Sequence, residues 1–80
     1  MNNLQAQAYN LIMLASPYLY IGRVDKAFST LTTCLQYARQ INFVPVQIFA
    51  LVYLARTYLE CGDTDRGIAA AQDAYTLAKP

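Results

Sequence analysis

Histidine is missing from this chain altogether. No imidazole is therefore on hand as a base near neutral pH, and the commonest metal ligand is gone. Two cysteines, Cys34 and Cys61, are too few for a disulfide framework. Both stand among apolar residues at helical spacing, where a free cysteine behaves as a small hydrophobe, so reduced and buried thiols are expected. That points to a reducing, cytoplasmic setting. No base lies near either sulfur to mark a nucleophile. The three glycines are isolated, which excludes a glycine-rich phosphate loop. Asp63 and Asp65 flank Thr64, but the ligand ladder and closing glutamate of a calcium loop are absent. Asp63 reads instead as a helix N-cap. Neither enzymatic activity, cofactor nor metal is expected.

Charge is also scarce. Charged side chains make up 14% of the chain, against about 25% in ordinary domains. The net charge is +1, and Arg23, Lys26, Arg39, Arg56, Arg66 and Lys79 are scattered, so no nucleic-acid surface is expected here. Long hydrophobic runs are lacking too. The most apolar stretch, Phe43 to Ala55, is interrupted by Pro45 and Gln47 and falls short of the roughly 20 residues that span a bilayer. Met1 to Gln5 lacks the basic region and apolar block of a signal peptide. No membrane association is expected.

What is present is apolar: 56% of the 80 residues. A chain of this size buries only about 60% of the surface its unfolded form exposes, so apolar groups must remain outside. Association covers them most simply.

The chain also repeats. Slid along itself by 40 residues, it brings Leu11 onto Leu51, Leu14-Ala15 onto Leu54-Ala55 and Tyr18-Leu19 onto Tyr58-Leu59. Gly22 falls on Gly62, Asp25 on Asp65, Lys26 on Arg66 and Ala38 on Ala78, with no gap. One domain over residues 1–80 follows, with repeat one at about 1–42 and repeat two at about 43–80.

Each copy reads as two helices. Apolar residues recur every three or four positions, as on one helix face. The first helix, about Asn3 to Tyr20, carries Leu4, Ala8, Leu11, Ile12, Leu14, Ala15, Tyr18 and Leu19, with Asn2 or Asn3 as its cap. Gly22 suits the left-handed turn that ends it. The second, about Val24 to Ile41, has Ala27, Leu31, Cys34, Leu35, Ala38 and Ile41 inward. The third, about Pro45 to Glu60, carries Ile48, Leu51, Val52, Leu54, Ala55, Tyr58 and Leu59, with Pro45 in a first turn where its missing N–H costs nothing. The fourth, about Thr64 to Ala78, carries Ile68, Ala71, Ala74, Tyr75 and Ala78, and its polar side could cap a stack. Pro17 interrupts the first helix near its end, where it removes one backbone bond. Tyr18, Phe28 and Tyr58 are expected in the core.

Leu11, Leu14-Ala15, Tyr18, Gly22, Ala27 and Leu31, and again Leu51, Leu54-Ala55, Tyr58, Gly62, Gly67 and Ala71, resemble the tetratricopeptide repeat. Ala15, Ala27, Ala55 and Gly67 are small where two helices pass closely. The period of 40 differs from the usual spacing of about 34 residues and is similar to repeats in sensor regions of bacterial transcription regulators. The resemblance implies an all-α fold, two helix-turn-helix hairpins (four antiparallel helices) of a tetratricopeptide-like α-solenoid.

It also implies a groove lined by the first helix of each repeat. That carries over to Tyr9, Ile12, Met13, Ser16, Leu19 and Tyr20, and to Phe49, Val52, Tyr53, Arg56, Leu59 and Glu60. Only Arg56 is basic, so the carboxylate clamp known from such repeats is not expected. A protein or peptide with an apolar helix or extended segment fits the rest. The expected role is a protein-interaction module, the sensing or scaffolding part of a bacterial regulator. The alternative is a small-molecule inducer site using Tyr9, Tyr20, Tyr53 and Arg56. The first helix has no charged residue before Gly22. It calls for cover from a homodimer partner or neighbouring repeats.

Overall fold

The computed structural model describes residues 3–79, less the side chains of Leu4 and Ser16. The capping reading of Asn2 falls outside the described residues. Among the described residues four helices follow one another: α1 (Leu4–Tyr20), α2 (Val24–Gln40), α3 (Val44–Glu60) and α4 (Thr64–Ala78). The fold is all-α. The sequence repeat maps onto it in register, because α1 shifted by 40 residues coincides with α3, and α2 starts 40 before α4.

The three turns share one construction. Gly22, Asn42 and Gly62 take positive φ (79°, 56° and 81°), and each directly follows a helix C-cap. The next residue's N–H then reaches back to an end carbonyl: Arg23 to Tyr18 at 2.8 Å, Phe43 to Ala38 at 2.8 Å, Asp63 to Tyr58 at 2.9 Å. The residue with positive φ donates to Leu19, Arg39 and Leu59 respectively. This pair of bonds satisfies carbonyls that have no intrahelical donor. The middle turn places asparagine where the outer two use glycine, since asparagine tolerates the left-handed region best among residues with a Cβ. Each helix is thereby sent back along the one before it.

Helix starts are partly capped. Asn3 Oδ1 accepts from the Ala6 N–H at 3.2 Å, and Asp63 Oδ1 from the Arg66 N–H at 3.2 Å, as expected of Asp63. Arg23 and Phe43 open α2 and α3 without a side-chain cap. Helix α3 begins at Val44, one residue before the expected start. Proline suits the second helical position equally well, because its N–H would have had no partner there either. Helix α1 runs through Pro17 to Tyr20.

Packing is sequential. Each helix rests on its chain neighbours, and α1 also meets α3. The body measures 39 × 31 × 14 Å, a slab in which the end helices are covered on one side only. Ala8, Ala15, Leu31, Cys34, Leu35, Ala38, Val46, Ala50, Leu51, Leu54, Ala55, Ala70 and Ala74 form one buried cluster. Burying a leucine such as Leu31 contributes about 1.5–3 kcal/mol. Small residues do set the close approaches: Ala15, Ala27 and Ala55 are buried, and a Cβ on Gly67 would lie 3.0 Å from the Leu59 side chain. Among the described residues the buried polar side chains, Gln47 and Thr57, are satisfied. Gln47 Nε2 donates to the Ala38 carbonyl at 3.2 Å, and Thr57 Oγ1 to the Tyr53 carbonyl at 2.7 Å. Gln47 thus braces the turn whose carbonyl Phe43 also uses.

Not every apolar residue at helical spacing is buried. Helix α4 buries Gly67, Ala70 and Ala74, with Leu77 half-buried, while Ile68, Ala71, Tyr75 and Ala78 are exposed. Two apolar stripes overlap on this helix, and only α3 is present to choose between them. Its outer side is therefore partly apolar, not the polar cap the composition implied. Leu14 and Leu59 are also exposed. Ile41 is half-buried, having become the C-cap of α2. Tyr18, Phe28 and Tyr58 are half-buried at the core's edge, with Phe28 edge-on to Tyr58 at 5.2 Å. Cys34 is fully buried, but Cys61 is exposed, because it caps the C-terminus of α3 at the turn.

Candidate interaction groove

Helices α1 and α3 hold equivalent positions in the two repeats and touch each other, so the same positions on each come side by side. Tyr9, Ile12 and Met13 on α1 meet Phe49 and Tyr53 on α3 around an open groove of about 500 Å³. Met13 is 70% exposed, Phe49 54% and Tyr9 46%; Ile12 and Tyr53 are half-buried and form the floor. Tyr9 is steadied from the side by Phe43, edge-on at 5.2 Å and 79°. No charged side chain lines the groove.

Five of the residues expected at a groove are thus brought together. Tyr20, Val52, Arg56 and Glu60 are exposed but do not line it. Tyr20 ends α1 almost fully in solvent, and Arg56 and Glu60 continue the α3 face one and two turns beyond Tyr53. The side chain of Ser16 lies outside the described residues. Leu19 is half-buried and Leu59 exposed, neither in the groove. Phe43 was missed, because a residue in a predicted turn carries no helical periodicity.

The chemistry of the remaining surface is plain. The Cys34 thiol donates to the Ala8 carbonyl at 3.3 Å, tying α2 to α1, and burial pushes its pKa up to about 11. Such a thiol is protonated and a poor nucleophile at neutral pH. Two exposed ion pairs, Arg23–Asp25 at 3.7 Å and Asp63–Arg66 at 3.5 Å, dress the starts of α2 and α4. Among the described residues, no group of three or more histidine, cysteine or acidic side chains could hold a metal ion. No helix among them is long and apolar enough to cross a membrane.

Comparison with family models, with curated proteins and with solved structures finds no match to the chain.

Proposed function

We propose that the chain is a protein-interaction module whose α1–α3 groove takes an apolar helix or extended segment of a partner. The observation that carries this is the open groove of Tyr9, Ile12, Met13, Phe49 and Tyr53, uncharged and with Tyr9, Met13 and Phe49 exposed. Aromatic and methionine side chains left exposed together mark binding surfaces, the aromatics offering large contact area at low entropic cost and methionine an adaptable apolar one. Arg56 and Glu60 sit further along α3, where a polar rim would orient the ligand. The openness of the groove favours a polypeptide over a small inducer, which requires walls on more sides. The tetratricopeptide resemblance adds a sensing or scaffolding role in a bacterial regulator, and that part rests on the resemblance alone.

The test is a peptide selected from a random library on the intact chain, followed by amide chemical-shift mapping. Shifts should cluster at Tyr9, Ile12, Met13, Phe49 and Tyr53. Met13→Glu should weaken the peptide at least about tenfold with helicity unchanged, the loss expected for a central contact. Shifts confined to the opposite side of the slab would refute the groove.

A further inference from the structure

The in-register repeat gives each helix an internal reference. Helix α3 sits on α4 as α1 sits on α2, so any burial that α3 has and α1 lacks comes from the preceding hairpin. Val46, Ala50, Leu54 and Thr57 are buried on α3, while their counterparts Ala6, Asn10, Leu14 and Pro17 are exposed on α1. The same comparison holds for α2 and α4. Leu31, Leu35 and Ala38 are buried and Phe28 half-buried on α2, where α3 follows. Their counterparts Ala71, Tyr75, Ala78 and Ile68 are exposed on α4. At opposite ends of the slab the chain thus leaves exposed the positions equivalent to the two halves of its α2–α3 interface, with Leu14 and Ala78 repeating Leu54 and Ala38 and the other six differing.

We infer that these two faces pair with each other between copies: α1 of a second copy docks on α4 of the first, in the place α3 takes on α2. Several positions carry the same residue in both places. Gln7 corresponds to Gln47, whose Nε2 donates to the Ala38 carbonyl, and Ala38 corresponds to Ala78. Gln7 of one copy therefore meets the Ala78 carbonyl of the other, a last-turn carbonyl with no intrahelical donor. Tyr18 meets Ile68 as Tyr58 meets Phe28. Leu11 and Leu14 meet Tyr75 as Leu51 and Leu54, with Leu35, wall one cavity.

The contact is heterologous, because a face on α1 meets a different face, on α4. Copies join head to tail and the series does not close into a symmetric pair. Asn10 stands where Ala50 is buried, so the intermolecular contact is weaker than the internal one and assembly depends on concentration. Stacking also places α1 of the second copy beside α3 of the first, which lengthens the groove. The pairing does not depend on what the groove binds.

Sedimentation velocity with two end-blocked variants tests this. Leu14→Glu spoils the α1 face and Ala71→Glu the α4 face, both at exposed positions, and circular dichroism checks that helicity is kept. Over about a hundredfold range of concentration the wild-type chain should give a rising series of sizes. Each variant alone should stay monomeric, while an equimolar mixture should form a 1:1 dimer and nothing larger, since each supplies the face the other lacks. A monomeric wild-type chain throughout, dimers of either variant alone, or a mixture of two helical variants that stays monomeric would each overturn the pairing and leave the faces to another occupant.

Discussion

Cys34 and Cys61 are the same residue type in opposite situations. The buried thiol has its pKa raised by desolvation to about 11, and the other stands exposed at a turn. An aromatic disulfide reagent at pH 8 should label Cys61 at once and Cys34 more slowly by about a hundredfold or more, because thiolate fraction falls tenfold per pKa unit and access requires opening. Linkage gives the sign for stability. The folded state holds the Cys34 proton more tightly than the unfolded state, so this contribution is complete below the ordinary thiol pKa. It is lost as pH rises towards about 11. Urea unfolding at intervals from pH 8 upward should show stability falling along that limb, less steeply in Cys34→Ala. Asn42 is the second residue whose environment decides its role. It carries φ 56° at a turn whose equivalents are glycines. Asn42→Ala should lower stability by about 1 kcal/mol, the cost of a Cβ without asparagine's tolerance in the left-handed region, while Asn42→Gly should hold or raise it. The urea midpoint orders the three. The sequence marked Gly22 and Gly62 as turns but left Asn42 inside a looser connection, because asparagine is ambiguous between cap, turn and helix end.

Helix positions were legible because each helix has a three-to-four spacing and a defined stop. The face each one buries was legible only where neighbours lie on both sides. Helix α2 buries Ala27, Leu31, Cys34, Leu35 and Ala38, all expected inward. Helix α4 offers two apolar stripes one residue apart and buries the one with glycine in it, since only Gly67 lets the backbones approach so closely. The Cβ of Gly67→Ala would lie 3.0 Å from the half-exposed Leu59 side chain, which can yield, and 3.2 Å from the Ala55 carbonyl, which cannot. The helix-propensity gain of roughly 1 kcal/mol from alanine is then largely offset. Gly67→Leu has no such relief. It should drive α4 off α3 and cost about 1–3 kcal/mol, as overpacking does. Thermal unfolding followed by circular dichroism checks both. A stabilised leucine variant would show that the α3–α4 contact is looser than the geometry implies.

At the scale of the molecule, neighbour count sets local stability. The groove was legible as a list of positions, because the repeat aligns Tyr9 with Phe49 and Met13 with Tyr53. Which of those positions converge depends on how α1 and α3 lean together, and no periodicity encodes that. The same leaning orders the helices by protection. Helices α2 and α3 each have packed helices before and after them, whereas α1 and α4 end the slab. Opening an end helix exposes one interface; opening a middle one exposes two. Amide hydrogen exchange on a dilute sample should therefore be slowest in α2 and α3 and faster in α1 and α4. Raising the protein concentration should then slow α1 and α4 most, since head-to-tail pairing gives each the neighbour it lacks and adds to the middle pair only the lesser contact of α1 beside α3. Uniform protection across all four helices when dilute would contradict the sequential packing itself. Fast ends that ignore concentration would leave the packing standing and count against the pairing alone.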